Sequence, residues 1–164
     1  MHLNLVCISL SLSGDSFVEA GTFGITIEAI DRPTNYQCSG ATQVPSLPFS
    51  AFEESDGAFP TITDLECNLA DTSRAMWYSY TPPKTSEGQV VRAILEEKDF
   101  DAYLSLMRGE CDSLQCAGSE GPYQYSDVGF VFPTYLGQTE YLIVHGQNFQ
   151  AGDFGMRITV CVNS

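Results

Sequence analysis

Apolar positions recur along this chain with a period of two, and a period near 3.6 is almost absent. In 154–160, Phe154, Met156, Ile158 and Val160 alternate with Gly155, Arg157 and Thr159, which gives an extended segment one buried face. Residues 139–145 carry apolar side chains at successive positions and predict a strand buried on both faces. Another strand is predicted over 127–132, stopped by Pro133, with further strands at 75–81, 89–96 and 101–107. Turn signals separate them: Pro82-Pro83, Arg108-Gly109, Gly118 to Pro122, and Gly146 to Gly152. Short strands at this spacing predict an all-β sandwich or barrel rather than βαβ units.

An internal repeat divides the chain. The stretch from Gly14 to Ile27, with Phe17, Ala20-Gly21, Phe23-Gly24, Ile25 and Ile27, parallels the stretch from Gly146 to Ile158 once one residue is gapped. There Phe149, Ala151-Gly152, Phe154-Gly155, Met156 and Ile158 match in order. The second copy closes a domain, so the first reads as the closing hairpin of a preceding one. This gives a leading hairpin over 1–30 and a domain over 31–164, joined at Asp31-Arg32-Pro33. A lone hairpin is marginal in water, so 1–30 is expected to pack on this domain or on another chain. The other reading makes both copies Gly-rich hairpins of one fold. Residues 1–13 are then a weak signal peptide, with small residues before Gly14 but no Lys or Arg.

Composition narrows the class. The chain is 43% hydrophobic and 12% aromatic, too apolar for a disordered segment. Its 21 acids against 7 Lys and Arg give a net charge of −14, which disfavours nucleic acid and anionic lipid as partners. No run approaches the roughly 18 apolar residues of a membrane-inserted helix. The acidity fits a solubility surface in a salty extracellular medium, or oxygen ligands for Ca²⁺. Six cysteines stand at 7, 38, 67, 111, 116 and 161, none spaced as C-x₂-C, so structural zinc has little support. An even count in such a chain points to disulfides and a secreted or cell-surface location. Cys111 and Cys116 bracket a short loop that a disulfide can staple, and Cys38 and Cys67 flank a loop-rich stretch. Cys161 shares a strand face with Arg157 and Thr159, and whether it bonds Cys7, within or between chains, is left open by the sequence.

The usual catalytic motifs are missing: the chain has no G-x-S-x-G elbow, H-E-x-x-H pair or phosphate-cradling loop. His2 and His145 are the two histidines, and His145 falls within a predicted strand, where a structural role is expected. Three places suit binding. Asp99 and Asp101, two apart on an extended segment, are candidate Ca²⁺ ligands; Glu53 to Gly57 form an acidic turn; Tyr123 and Tyr125 offer aromatic faces to sugar or protein.

Several elements then fall in a definite order: Asn35 to Ala41 with Cys38, Leu47-Pro48-Phe49, Trp77-Tyr78, Asp101 to Leu104, Cys111 to Cys116, Tyr141 to Gly146, and Gly152 to Ile158. In this order 31–164 resembles the bacterial pre-peptidase C-terminal domain and its relatives in secreted eukaryotic repeat proteins. The resemblance implies a jelly-roll-like antiparallel β-sandwich used as an accessory module, often in tandem. By position it also implies the pairings Cys38–Cys67 and Cys111–Cys116. The function expected is a non-catalytic extracellular adhesion or assembly module, with Ca²⁺ as a candidate ligand and no other cofactor. Its partners would be other copies, another extracellular protein or a glycan. The alternative is a carbohydrate- or protein-binding accessory domain of a secreted hydrolase.

Overall fold

The computed structural model describes residues 31–58, 67, 74–84, 88–123 and 126–161. The chain divides into two compact units, Met1–Asp31 and Arg32–Ser164. The leading hairpin, the first repeat copy, Cys7 and Tyr125 lie outside the described residues.

Among the described residues, nine strands follow a short 3-10 turn at Cys38–Gly40: β1 Thr42–Gln43, β2 Phe49–Glu54, β3 Ala75–Tyr80, β4 Val90–Glu96, β5 Ala102–Arg108, β6 Gln115–Tyr123, β7 Val128–Pro133, β8 Glu140–Gly146 and β9 Asp153–Val160. They form two sheets, ordered β1-β3-β8-β5-β6 and β2-β9-β4-β7. Apart from the short parallel β1–β3 pair, every pairing is antiparallel. The pairs β2–β9, β3–β8, β4–β7 and β5–β6 are nested, as when one long hairpin is rolled into two layers. This is the jelly roll, an all-β sandwich.

The core lies between the layers and follows directly from the period-two pattern. Met76, Tyr78 and Tyr80 of β3, Leu104 and Leu106 of β5, and Leu142 and Val144 of β8 meet Val91, Ala93 and Leu95 of β4 and Phe154, Met156 and Ile158 of β9. Burial of these side chains from water, at about 25 cal/mol per Å², is the main favourable contribution to stability. Residues 140–146 are buried on both faces, as their unbroken apolar run predicts, because the five-stranded sheet carries a second small core on its outer side. There Ala75, Trp77, Met107, Ile143 and Cys67 are buried, with Cys38, Ala41, Leu114, Cys116 and Tyr141 packed against them.

Two disulfides hold that outer layer, and their pairing corrects the expected one. Cys38 bonds Cys111 and Cys67 bonds Cys116, with sequence separations of 73 and 49. The short Cys111–Cys116 staple does not form because Cys116 already belongs to β6. It sits opposite Met107 there, on the side of the sheet where Cys67 lies. Cys111 stays in the turn after β5 and meets the 3-10 turn that carries Cys38. Cys161 is a free, half-buried thiol. Its candidate partner, Cys7, is outside the described residues.

Three local expectations also change. Pro133 ends its strand as its last residue rather than lying just beyond it, at an edge where a missing N–H costs little. The segment Gly118 to Pro122, expected as a turn, runs inside β6. Glu53 and Glu54, expected in an acidic turn, end β2.

Candidate functional site

The outer faces of the two sheets carry different residues. On the four-stranded sheet the register aligns Phe52 with Gly155 and Glu96, then Ser50 with Arg157, Ile94 and Gly129, then Thr159 with Arg92 and Val131. These side chains point away from the core by strand alternation. Phe52 is 63% exposed, Val131 55% and Val90 40%. Cys161 joins the same face, its N–H donating to the Val90 carbonyl. Two positions in the central rows, Gly155 and Gly129, have no side chain at all. At Gly155 this opens a groove of about 200 Å³ lined by Ser50, Ala51, Phe52, Glu96, Glu97, Gly155 and Met156. Beside it Arg157 donates to Glu96 Oε2 at 2.9 Å, with both side chains partly exposed.

The same end of the sheet gathers the acids that the sequence placed in two separate sites. Glu54 ends β2 and Asp56 follows it, Asp99 follows β4, and Asp153 begins β9. The Glu54 carboxyl is raised above its ordinary range, first by its hydrogen bond to Asp56, then by the charges of Asp56, Asp153 and Asp99. Asp99 Oδ1 accepts the Asp153 N–H at 3.0 Å, and Gly152 packs so close to this carboxylate that a Cβ there would collide with it. Asp101 does not join the group. Its N–H donates to Gln150 Oε1 at 2.9 Å and its carbonyl accepts from Gln147, both in the β8–β9 connection. Phe100 between them turns inward to meet Phe154 edge-on. Among the described residues no three His, Cys, Asp or Glu side chains converge to hold a metal ion.

Sequence reasoning gave His145 a structural role, and its surroundings account for that role. The residue is fully buried, its ring stacked on Tyr103 at 5.0 Å between centroids. Its Nε2 lies 3.0 Å from Ser105 Oγ, which also contacts Ser119 Oγ at 2.9 Å and the Cys67 carbonyl at 3.2 Å. A carbonyl can only accept, so the Ser105 hydroxyl donates to Cys67, and Nε2–H donates to Ser105. The other nitrogen, Nδ1, is buried without a partner. Burial pushes the imidazole pKa down to about 4. A hydroxyl bonded to an imidazole has the makings of a nucleophile and base. Here both groups are shut away from solvent, under the layer that Cys67 anchors.

At the opposite end of β8, Glu140 is also fully buried and receives Arg108 Nε at 2.8 Å. The guanidinium donates to the Pro133 carbonyl and lies over the Tyr135 ring at 5.0 Å. Burial raises the Glu140 carboxyl above its ordinary range, and Arg108 opposes this. Next to this clamp a cleft of about 400 Å³ is lined by Gly109, Glu110, Leu136, Gly137, Gln138, Thr139 and Tyr141. Nothing in the hydrophobic pattern marked it, because most of its walls are turn residues, with Tyr141 of β8 beside them. Tyr123 is half-exposed at the end of β6 and lines neither cleft.

No helix among the described residues is long and apolar enough to cross a membrane. No protein-family model matches the chain. A search of curated proteins likewise gives no match. Among solved structures, the chain is similar to the pre-peptidase C-terminal domain of collagenase from Bacillus anthracis, at 13% identity and a TM-score of 0.48, over 79% of this chain and 100% of that one. It is also similar to Aeromonas hydrophila PliG, a periplasmic lysozyme inhibitor of g-type lysozyme, at 8% identity and a TM-score of 0.48, over 74% of this chain and 96% of that one. The first of these is a domain of the kind that the order of sequence elements resembles.

Proposed function

We propose that the chain is a non-catalytic extracellular module for adhesion or assembly, and that its working surface is the outer face of the four-stranded sheet. One observation carries this reading: disulfide-held segments cover the outer face of one sheet, while the other bears Phe52, Val131 and Val90 in solvent. Large apolar side chains grouped on one exposed face mark interaction surfaces more often than scattered ones do. Two disulfides fit an oxidising compartment. The sealed Ser105–His145 pair fits a module that binds and leaves chemistry to others. In this reading, 1–30 is the closing hairpin of a preceding repeat in a tandem array. In this reading Ca²⁺ stays a candidate ligand of Asp99 and Asp101.

The test pairs the wild-type chain with Phe52→Asp and Val131→Asp variants, measured for self-association by sedimentation and for binding to extracellular proteins on a surface. Saturable binding that both substitutions abolish, at unchanged melting temperature, is the expected result. Binding that survives both would overturn the reading.

A second reading is favoured by the cleft beside Tyr141. Its volume of about 400 Å³ and its mixture of Glu110, Gln138, Thr139 and one aromatic ring suit a sugar unit. A glycan array decides between them: saturable sugar binding lost in Tyr141→Ala assigns the module to carbohydrate.

A further inference from the structure

We infer that the groove over Gly155 docks an extended, basic segment of a partner protein, with one apolar side chain seated against Phe52 and lysines or arginines on the surrounding carboxylates. This rests on the four-stranded face being the working surface, and it names the partner's chemistry.

Size sets the first constraint. A groove of about 200 Å³ is smaller than the roughly 300–1,000 Å³ of small-molecule sites, and it suits a single aliphatic side chain. Its floor is backbone, because Gly155 offers no Cβ, and one wall is a phenyl ring exposed over most of its surface. An apolar side chain of a partner gains most of its burial from that ring.

Charge sets the second. Glu96 and Glu97 line the groove, and Glu54 and Asp153 stand opposite each other in the next register row. Asp56 and Asp99 lie close enough to act on Glu54, whose carboxyl is raised first by its hydrogen bond to Asp56 and then by repulsion from Asp56, Asp153 and Asp99. A cationic segment relieves this repulsion, whereas an acidic one adds to it. Another copy of this chain, at a net charge of −14, would bring the same carboxylates to the contact.

Backbone sets the third. Among the described residues β2 is an edge of its sheet, and Phe52 and Glu54 stand on it in alternate outward positions. An extended peptide laid along β2 turns every second side chain toward this face, so its apolar and basic residues stand two apart, at successive positions of one face.

The probe is a fluorescein-labelled peptide of repeating valine-serine-lysine-serine, with a matched peptide of repeating valine-serine-glutamate-serine. Binding to the whole folded chain is read by fluorescence anisotropy at about 0.05 and about 0.3 M salt. The lysine peptide should bind saturably and the glutamate peptide should not. Affinity should fall by about tenfold in Phe52→Ala, by at least as much in a Glu54→Gln/Glu97→Gln double variant, and again at the higher salt. A Gln138→Ala variant in the other cleft should leave it unchanged. Equal binding of the two peptides, or no binding of the lysine peptide, would overturn the inference. If binding of another partner is still lost in Phe52→Asp and Val131→Asp, the working face stands and only the basic partner is wrong. Lysine-peptide binding that ignores every substitution on this face but is lost in Gln138→Ala would overturn both.

Discussion

The two sheets of this sandwich treat their outer faces in opposite ways. The five-stranded sheet buries Trp77, Met107 and Ile143 beneath the Cys38–Gly40 turn, Leu114 and Cys67. The four-stranded sheet leaves Phe52, Val131 and Gly129 exposed. Antiparallel sheets commonly keep one face wet, so the bare face is ordinary and the covered one needs explaining. Among the described residues that cover is pinned by the Cys38–Cys111 and Cys67–Cys116 bonds. Constraint is thus concentrated on one side of the molecule and access on the other.

The largest expected effect tests that division directly. Replacing Cys67 and Cys116 by serine removes a crosslink spanning 49 residues, which loop-closure entropy values at about 4 kcal/mol. Urea unfolding under non-reducing conditions should show that loss, while Cys161→Ser on the bare face should change stability by no more than about 0.5 kcal/mol. A Cys111–Cys116 staple, closing only a few residues, would have contributed about 2 kcal/mol. Comparable losses from Cys67→Ser and Cys161→Ser would mean that both faces are held in the same way.

The two ion pairs repeat the contrast at smaller scale. Arg108–Glu140 lies at the end of the core with the carboxylate fully buried, whereas Arg157–Glu96 lies on the bare face with both side chains wet. Arg108→Met leaves a buried charge without its cation and should cost about 3 kcal/mol. Arg108→Met combined with Glu140→Leu should recover most of that loss. If the double variant is as unstable as the single one, lost packing of the Arg108 stem over Tyr135 is the larger effect.

How much of this could be read beforehand depends on where each segment sits. The central strands β3, β4, β5, β8 and β9 follow the alternation of the chain to within a residue or two, because both neighbours of each strand enforce it. Parts of the edge strands β2 and β6, Glu53-Glu54 and Gly118 to Pro122, were read as turns, whereas the edge strand β7 was read to within a residue. β6 contains Gly118, Gly121 and Pro122, which an edge tolerates and a propensity argument rejects. In β2 the outward Phe52 breaks the alternation, and that exposed ring is the feature on which the proposed function rests. The acidic candidates were half legible. Spacing linked Asp99 to Asp101, but the fold links it to Glu54, Asp56 and Asp153, through contacts between strands that no local pattern encodes. The disulfide pairing stayed hidden for the same reason, since it depends on which side of β6 faces Cys67.

Protonation of His145 gives a further measure of the covered face. The folded-state pKa of about 4 lies below the ordinary 6.5, so the native state holds this imidazole neutral. The contribution to stability is complete above about pH 6.5 and drains away as pH falls toward 4, to a total of about 3 kcal/mol. Glu140 works in the other direction. Its raised carboxyl takes up a proton more readily in the folded state, and so favours folding as the solution is acidified. Comparing wild type with His145→Gln between pH 7 and pH 4 isolates the histidine: the stability gap between them should shrink as pH falls. A gap that stays constant would mean that solvent reaches Nδ1.

The smallest effects are expected where the proposed function is largest. Phe52→Ala gives up a ring that is 63% exposed, and Arg157→Met breaks a pair that water already screens; each should move stability by less than about 0.5 kcal/mol. A face kept for binding must be cheap to alter in the free molecule, since its side chains gain their burial only when a partner arrives. Thermal melts of both variants check this. Should Phe52→Ala instead cost as much as a core truncation, about 3 kcal/mol or more, the ring is already buried against another part of the chain. The four-stranded face would then be a second covered face, and the contrast between the two sides of the molecule would disappear.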